Sequence, residues 1–235
     1  MQTVSISFFR FSRGFDRIWA LAMMGLARPH MRRVDGIGFW KLCGSGTGEG
    51  FTPIPNLGVY SILATWPDEE TARRQTRTAA IFRKYLDRAN ECWTVFLTPV
   101  SMRGKWSGVA PFKVHERNRD GAVAALTRAT IRPLTALRFW WRVPDISAVI
   151  GADRNVIFKI GIGEVPLMHQ ITFSIWPDTT TMANFARVDG PHASAIRAVR
   201  DGNWFSEELY ARFHILGENG TWNGTSPLNK KGIPA

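Results

Sequence analysis

Hydrophobic and polar residues alternate in eight short stretches of the chain, and a period of two residues predicts β-strands. In the N-terminal part, the predicted strands cover residues 4–11, 39–44, 58–66 and 91–100. In the C-terminal part, they cover residues 122–131, 156–163, 168–176 and 210–216. The two parts of the chain therefore carry the same number of predicted strands.

Between these strands, apolar residues recur every three or four positions, which predicts amphipathic helices. Helices are predicted at residues 16–31 and 68–89, and a further helix is predicted to begin at residue 133 and to extend to residue 143. Asp68 and Asp178 each stand where a helix N-cap is expected. Another helix start lies at residues 189–191, with Pro191 at the first helical position.

Short landmarks occur twice along the chain and in the same order. The sequence Trp-Pro-Asp stands at residues 66–68 and again at 176–178, and Gly-x-Trp-x-Gly stands at 104–108 and 220–224. A fainter similarity relates residues 39–44 to residues 157–161. Because all three matches keep their order, we interpret them as an internal duplication with loops of different length.

Each half has the order βαββαβ, which is that of a ferredoxin-like unit. The predicted fold class is α+β, with a first ferredoxin-like repeat at residues 1–101, a linker at 102–120, a second repeat at 121–228 and a tail at 229–235. We expect the two sheets to pack face to face with their helices outside, as a dimeric α/β barrel made within one chain. The gap between helices and sheet in one half, here the second, is wide enough in this fold type for a flat cofactor.

Composition and charge narrow the possible partners. Ten Trp and fifteen Phe stand against three Tyr, which suits either a large apolar pocket or a well-packed core. The net charge of +11 favours an anionic partner, and without a basic run or a nucleic-acid motif we expect a membrane surface or an acidic protein rather than nucleic acid. Cys43 and Cys92 read as core residues of a cytoplasmic protein, and the longest apolar run, residues 18–27, is too short to span a bilayer.

The histidines limit the chemistry of a cofactor site. His192 shares a helix face with Ala195, Ile196 and Val199, so it is either a ligand aimed into a cavity or a buried core histidine. His169 lies on an apolar strand face and is the competing candidate. No two histidines have the spacing of a zinc or non-haem iron site, and a single axial histidine holding haem is the redox option that remains.

Two further features bear on a pocket. The glycine-rich segment at residues 44–50 is followed by prolines rather than a helix, so it is not a phosphate loop but a long hairpin loop or a lid. The second half has a shorter loop at this place, so we expect the long loop to lie near the cofactor pocket. Four arginines at predicted strand ends could bind haem propionates or simply be solvated: Arg10, Arg13, Arg128 and Arg132.

Long segments of the chain resemble one family. FFRF near the start, GFWKLCGSGTGEGFTP, GVYSILATWPDEETA and PHASAIRAVRDGNWFSEELYARF are similar to spheroidene monooxygenases, the acyclic carotenoid 2-ketolases of purple bacteria and their relatives. The resemblance extends over nearly the whole chain. It implies haem b without the cytochrome P450 fold, O2 as oxidant, electrons from reduced ferredoxin, and oxidation of the C-2 methylene of carotenoids such as spheroidene to a ketone.

The resemblance also implies roles for individual residues. Related haem enzymes of the dimeric α/β barrel type, such as aldoxime dehydratases, take the axial histidine from a helix of the C-terminal half, and this role falls on His192. A long polyene needs an apolar slot, for which we name four residues: Trp140, Trp141, Phe173 and Trp204. The positive charge suits an acidic ferredoxin, and also peripheral contact with the inner membrane.

Two other functions stay open on sequence alone. One is a cofactor-free monooxygenase or cyclase of the same barrel type, and the other is a non-catalytic carrier of carotenoid or haem.

Overall fold

A computed structural model describes residues 1–115, 121–136, 138–141, 155–187 and 204–229. Its strands are β1 (Thr3–Arg10), β2 (Trp40–Gly46), β3 (Pro55–Trp66), β4 (Glu91–Gly104), β5 (Val123–Ile131), β6 (Phe158–Gly163), β7 (His169–Trp176) and β8 (Phe205–Gly220). Its α-helices are α1 (Gly14–Leu26), α2 (Arg28–Met31), α3 (Glu69–Thr78), α4 (Ala80–Leu86) and α5 (Thr179–Arg187), and a 3-10 helix covers Pro133–Thr135.

All eight strands join in one closed antiparallel barrel with the order β1-β3-β2-β6-β7-β5-β8-β4. Strands β4-β1-β3-β2 form the first sheet and β8-β5-β7-β6 form the second, so both sheets follow the same order. The sheets were expected to face each other as separate layers, but they also join along both edges. The edge β4–β8 carries eleven residue pairs, whereas β2–β6 carries only two.

Apolar side chains from both sheets fill the barrel, because every second residue of a strand points inward. The interior includes the following residues: Val4, Ile6, Phe8, Leu63, Trp93, Val95, Leu126, Ile160, Ile171, Phe173 and Phe213. Phe8 stacks on Trp93 with ring centroids 5.4 Å apart. The apolar residues of the alternating strand pattern therefore form one core that both sheets share, rather than two separate cores.

The repeated landmarks occupy matching places. Trp66 ends β3 opposite the first residue of β1, and Trp176 ends β7 opposite the first residue of β5. Asp68 accepts a hydrogen bond of 2.7 Å from the Thr71 backbone, and Asp178 accepts one of 2.6 Å from Thr181, so both predicted N-caps are confirmed. Each Gly-x-Trp-x-Gly segment forms a turn at the end of β4 or β8.

The faint third similarity is out of register by one residue. Lys41 lies opposite Leu63, whereas the residue at the corresponding place of the second sheet is Ile160, opposite Phe173. Lys159 is therefore not the counterpart of Lys41. Because a shift of one residue changes the face of a strand, Lys41 points into the barrel end and Lys159 points outward.

Several predicted boundaries differ from the structure, and the strand predicted at residues 210–216 extends over Phe205–Gly220 as β8. The helix predicted at residues 16–31 is divided at Ala27 into α1 and α2. The helix predicted at 68–89 is divided at Ala79, whose extended backbone (φ −61°, ψ 134°) cannot continue α3. Strand β4 continues to Gly104 and takes in the first residues of the predicted linker. In the described part of the chain, no helix combines the length and apolarity that a membrane span requires.

Candidate functional site

The two sheets differ on their outer faces. The outer face of the first sheet packs under helices α1 to α4 through large apolar residues: Phe9, Phe11, Leu42, Tyr60, Ile62 and Trp66. The helices meet them with Ala20, Met23, Ile81, Phe82 and Tyr85. This face is therefore a conventional helix-on-sheet core.

The same positions of the second sheet carry short or polar side chains. In the first sheet Phe9 pairs with Tyr60, and Leu42 pairs with Ile62. The corresponding pairs of the second sheet are Ala129 with Gln170, and Gly161 with Thr172. Four large side chains of the first face thus have small or polar counterparts, so the second face lacks the bulk that packs under helices on the first. We take this face as the candidate functional site.

Apolar clusters border the candidate site on two sides. One cluster combines Phe51, Ile131, Phe139 and Trp204, with Trp140 packed against it. The other combines Val123, Trp176 and Met182 at the start of α5. Between them lie Thr127, Ala129 and Thr172, which belong to neither cluster. The site is therefore a polar floor between two apolar walls.

The glycine-rich hairpin of the first half forms part of this site. The backbone amide of Gly161 donates a 2.7 Å hydrogen bond to the carbonyl oxygen of Glu49, and Lys159 Nζ lies 2.9 Å from the Glu49 carboxylate. Gly50 has a φ of +90°, and a Cβ atom at Gly50 or Gly161 would collide with the backbone of the other. Only glycine permits this contact. It brings Phe51 to the cluster of Ile131, Phe139 and Trp204, which we call the aromatic wall.

Gln170 supplies a polar group at the same place. Its Nε2 atom is buried and has no hydrogen-bond partner among the described residues. The amide lies beside Gly161, within 3.0 Å of the position that a Cβ atom would take there. A buried donor without a partner is costly, so this amide is suited to bind a ligand on the outer face.

A buried ionic cluster closes the barrel on the inner side of the second sheet. Glu164 lies 2.7 Å from Lys41 Nζ and accepts a 2.8 Å hydrogen bond from the Trp106 indole. Arg128 is only 3% exposed and lies 3.0 Å from the Glu207 carboxylate. Burial raises the pKa of Glu164, but the contacts with His169, Lys41 and Trp106 outweigh burial and lower the pKa to about 2.

The residues proposed from sequence separate into two groups on opposite faces. His169, Arg128 and Phe173 point into the barrel. His169 Nδ1 lies 3.4 Å from Glu164, and Phe173 is fully buried against Phe8. Arg128 is paired with carboxylates inside the barrel. None of these three residues borders the candidate site on the outer face. The physical reason is the alternation of strand residues, which puts them on the face opposite Gln170 and Thr172.

The other proposed residues lie outside the barrel. Trp204 is buried in the aromatic wall, and the Trp140 indole donates a 2.9 Å hydrogen bond to the carbonyl oxygen of Leu167. Trp141 is 89% exposed, and Arg132 is exposed as well. The structure thus brings two of the four proposed pocket residues together. His192 lies outside the described residues.

A cavity of about 540 Å³ opens at the other end of the barrel. Arg10 lines it, stacks 4.3 Å from the ring of Trp222 and donates a 2.7 Å hydrogen bond to Asn223. Arg17 and Lys159 also line this cavity, whereas Arg13 is exposed. The cavity therefore has a basic rim, and it lies at the place where the long hairpin leaves the barrel end.

The described residues can be tested against a flat prosthetic group. The outer face offers a floor of short side chains, apolar walls and the unpaired Gln170 amide, which fit such a group. Within the described part of the chain, no three His, Cys, Asp or Glu side chains converge as a metal site.

Sequence reasoning missed several of these residues, although one signal was available. Tyr60 and Ile62 in β3 are apolar on the outer face, whereas Gln170 and Thr172 occupy the same places in β7. Comparing the repeats position by position would have shown the polar face. Glu164 and Glu207 carry no such signal, since only the closed barrel brings them to Arg128.

Comparisons with known proteins are consistent in sequence and in fold. The chain is 51% identical to spheroidene monooxygenase of Cereibacter sphaeroides over 98% of this chain and 72% of that protein. It is 49% identical to spheroidene monooxygenase of Rhodobacter capsulatus over 98% of this chain and 97% of that protein. No protein-family model matches.

A third relative and one solved structure extend the comparison. The chain is 33% identical to spheroidene monooxygenase of Rubrivivax gelatinosus over 90% of this chain and 79% of that protein. A crystal structure of an aldoxime dehydratase in complex with butyraldoxime superposes with a TM-score of 0.58 at 9% identity, covering 91% of this chain and 80% of that one. That likeness shows the barrel fold.

Proposed function

Because the chain belongs to the spheroidene monooxygenase family and is an oxidoreductase, we propose that it oxidises the C-2 methylene of acyclic carotenoids of the spheroidene type to a ketone. The proposed enzyme uses haem b, O2 and electrons from reduced ferredoxin. In the first round, one oxygen atom enters a C–H bond to give the alcohol, and the other leaves as water with two electrons and two protons. A second round gives a gem-diol, which loses water.

The observation that supports this proposal is the contrast between the two outer faces. Where the first sheet carries Phe9 and Ile62 under its helices, the second carries Ala129 and Thr172. A flat macrocycle needs a floor without large side chains. Haem, when bound, supplies the redox-active iron that activates O2.

Several residues would hold the cofactor and substrate. We propose His192 as the axial ligand, on the basis of the sequence resemblance. The Gln170 amide is placed to donate a hydrogen bond to a ligand on the floor, and the aromatic wall with Phe51 and Trp204 would exclude water and border the polyene. Their common contribution is orientation, because oxidation of an allylic methylene needs no acid–base pair.

We also propose that the two sheets descend from two ferredoxin-like repeats, residues 1–101 and 121–228. The equal strand order, the matching Trp66 and Trp176 strand ends and the paired N-caps support this proposal. A net charge of +11 favours encounter with an acidic ferredoxin. We place the enzyme in the cytoplasm with peripheral contact to the membrane that dissolves its substrate.

The purified chain tests the cofactor and the reaction in turn. We expect a Soret band corresponding to one haem for each chain, and ketone formation when reduced ferredoxin, O2 and spheroidene are supplied. A colourless protein that still forms ketone would instead support a cofactor-free monooxygenase. A protein that binds haem or carotenoid without turnover would be a carrier.

The axial ligand is tested by a separate set of variants. His192→Ala should lose haem while the apoprotein stays folded, and His192→Gly with added imidazole should regain part of the Soret band. His169→Ala is the matched control, because His169 faces the barrel interior beside Glu164. Full haem in His192→Ala together with loss of haem in His169→Ala would reverse the assignment.

A further inference from the structure

Helix α1 is apolar on both sides, although only one side has a partner in the described fold. Ala20 and Met23 pack against the first sheet. On the outer side, Phe15 is 89% exposed and Ile18 is 66% exposed, and Leu21 and Leu26 are 51% and 66% exposed. Large apolar side chains scattered singly are normal on a protein surface, but four on one short helix form a patch.

The spacing of these residues makes the patch continuous. At about 100° per residue, Phe15, Ile18, Leu21 and Leu26 fall within an arc of roughly 140° on one side of the helix. The exposed Ala22 lies within the same arc. A helix that is apolar all round is normally covered on both sides, so this outer face requires a partner.

Arginines stand at both ends of the apolar face. Arg13 and Arg17 lie at the start of α1, and Arg28, Arg32 and Arg33 lie in and after α2; all five are exposed. Among the described residues, no carboxylate oxygen lies within 4.0 Å of any of these five guanidinium groups. The arginines that form ion pairs there are different ones. The surface between residues 13 and 33 is therefore apolar in the middle and carries five arginines against one carboxylate, Asp16, at its ends.

We infer that α1 and α2 form a lipid-binding surface that docks on an anionic bilayer. Insertion of Phe15, Ile18, Leu21 and Leu26 among the acyl chains would cover the apolar face, while the arginines meet lipid phosphates. The helix is about 20 Å long at 1.5 Å per residue, so it lies along the interface and does not cross it. A protein groove would need acidic rims at both of its ends to match the same pattern.

The lipid-binding surface deepens the proposed membrane contact, and it rests on the exposed residues of α1 and α2 rather than on the proposed reaction. Arg17 belongs to this surface and also lines the cavity at the open barrel end. Docking through α1 would therefore bring that cavity close to the lipid. Vesicle binding can be measured without carotenoid, haem or ferredoxin, so a failure of the proposed reaction leaves this result unaffected.

The test is sedimentation of the full chain with vesicles. One set contains phosphatidylcholine alone, and the other contains phosphatidylcholine with about one third phosphatidylglycerol. We expect at least tenfold stronger binding to the anionic set. The triple variant Phe15→Ser, Ile18→Ser, Leu21→Ser should lose binding at least tenfold, and Arg28→Gln, Arg32→Gln, Arg33→Gln should lose the preference for anionic lipid.

Leu134→Ser is the matched control, because Leu134 is 98% exposed and lies far from α1 in sequence. It should bind vesicles as the unaltered chain does, and circular dichroism should show that all variants keep their secondary structure. Absence of vesicle binding, or unchanged binding of the triple α1 variant, would overturn the inference. So would a dimer in sedimentation velocity that becomes monomeric in the triple variant, because the face would then join two copies.

Discussion

The outer faces of the two sheets occupy matching strand positions but carry different residues. The first face is filled with aromatic and aliphatic residues that hold four helices, whereas the second is short and polar between two apolar walls. Burial of the first face stabilises the fold, since each large apolar side chain contributes about 1.5–3 kcal/mol. The first face therefore contributes apolar burial that the corresponding positions of the second face do not.

The barrel interior shows the same divergence at one position. Phe8 in β1 and Arg128 in β5 hold corresponding places, opposite Ser61 and Ile171. Phe8 stacks in the shared aromatic core, whereas Arg128 joins a buried cluster with Glu164 and Glu207. The first half therefore uses apolar packing at this place, and the second half uses paired charges.

The largest effect should come from removing bulk from the first face. Ile62→Ala should lower the free energy of unfolding by about 4 kcal/mol, because a buried aliphatic side chain leaves a cavity. The matched change in the second sheet, Thr172→Ala, should cost less than about 1 kcal/mol. Urea unfolding of both variants measures the difference. Equal losses would mean that the two faces contribute alike to stability.

A slightly smaller effect should appear at the charged barrel end. The pKa of Glu164 is lowered to about 2 from 4.5, so its contribution to stability is present above pH 4.5 and is lost as pH falls toward 2. Glu164→Gln should lower the free energy of unfolding at pH 7 by about 3 kcal/mol, because Lys41 and Arg128 lose a buried partner.

Stability measured at several pH values checks this expectation. The unaltered chain should lose stability steeply between pH 4.5 and 2, and the Gln variant should show a flatter profile over that interval. Parallel profiles for the two proteins would show that Glu164 does not carry the acid sensitivity of the fold.

A third, smaller effect should follow when a large side chain of the first face is placed on the second face. Ala129→Phe copies Phe9 onto the proposed cofactor floor and should weaken haem binding about a hundredfold, or about 2.7 kcal/mol. The apoprotein should unfold within about 1 kcal/mol of the unaltered chain, because Ala129 is only half-buried. Haem titration gives the affinity, and Thr127→Ser is a neutral control on the same strand. Normal haem binding in Ala129→Phe would place the cofactor elsewhere.

The smallest effect should come from the glycine-rich hairpin. Shortening residues 47–52 to the length of the β6–β7 turn removes Glu49 and Phe51 from the second sheet. Carotenoid turnover should fall about tenfold, about 1.4 kcal/mol in activation energy, while the chain still folds. Lys159→Met, which removes only the ion pair with Glu49, should leave turnover close to normal. Full activity of the shortened chain would show the hairpin to be a bystander.

The sequence predicted the strands well because hydrophobic and polar residues alternate on the two faces of a strand and leave a period of two. The doubled Trp-Pro-Asp landmark marks the same strand end in both sheets, and Asp68 and Asp178 cap helices as expected. What alternation could not reveal is which face of a strand turns inward. His169 and Phe173 were therefore assigned to a pocket, although the closed barrel places them in its interior.

Long-range pairing accounts for the rest of what sequence could not predict. The interior cluster joins Lys41, Arg128, Glu164 and Glu207 from four separate segments, and no local pattern links them. Loop length alone predicts that the hairpin lies near a cofactor pocket, because only the first half has the long form, and this stays a prediction. Its contact with Gly161 depends on the β2–β6 junction, which becomes visible only in three dimensions.

The uneven closure of the barrel has a consequence for its motions. Two residue pairs hold β2 to β6, at Gly44 and Ser45, whereas eleven hold β4 to β8. Local opening follows the least-protected junction, so the barrel should unzip at β2–β6 while each sheet stays intact. In deuterated water the amides of Gly163 and Ser45 should exchange long before those of β4. The two sheets would then move apart at β2–β6 while they stay joined along β4–β8.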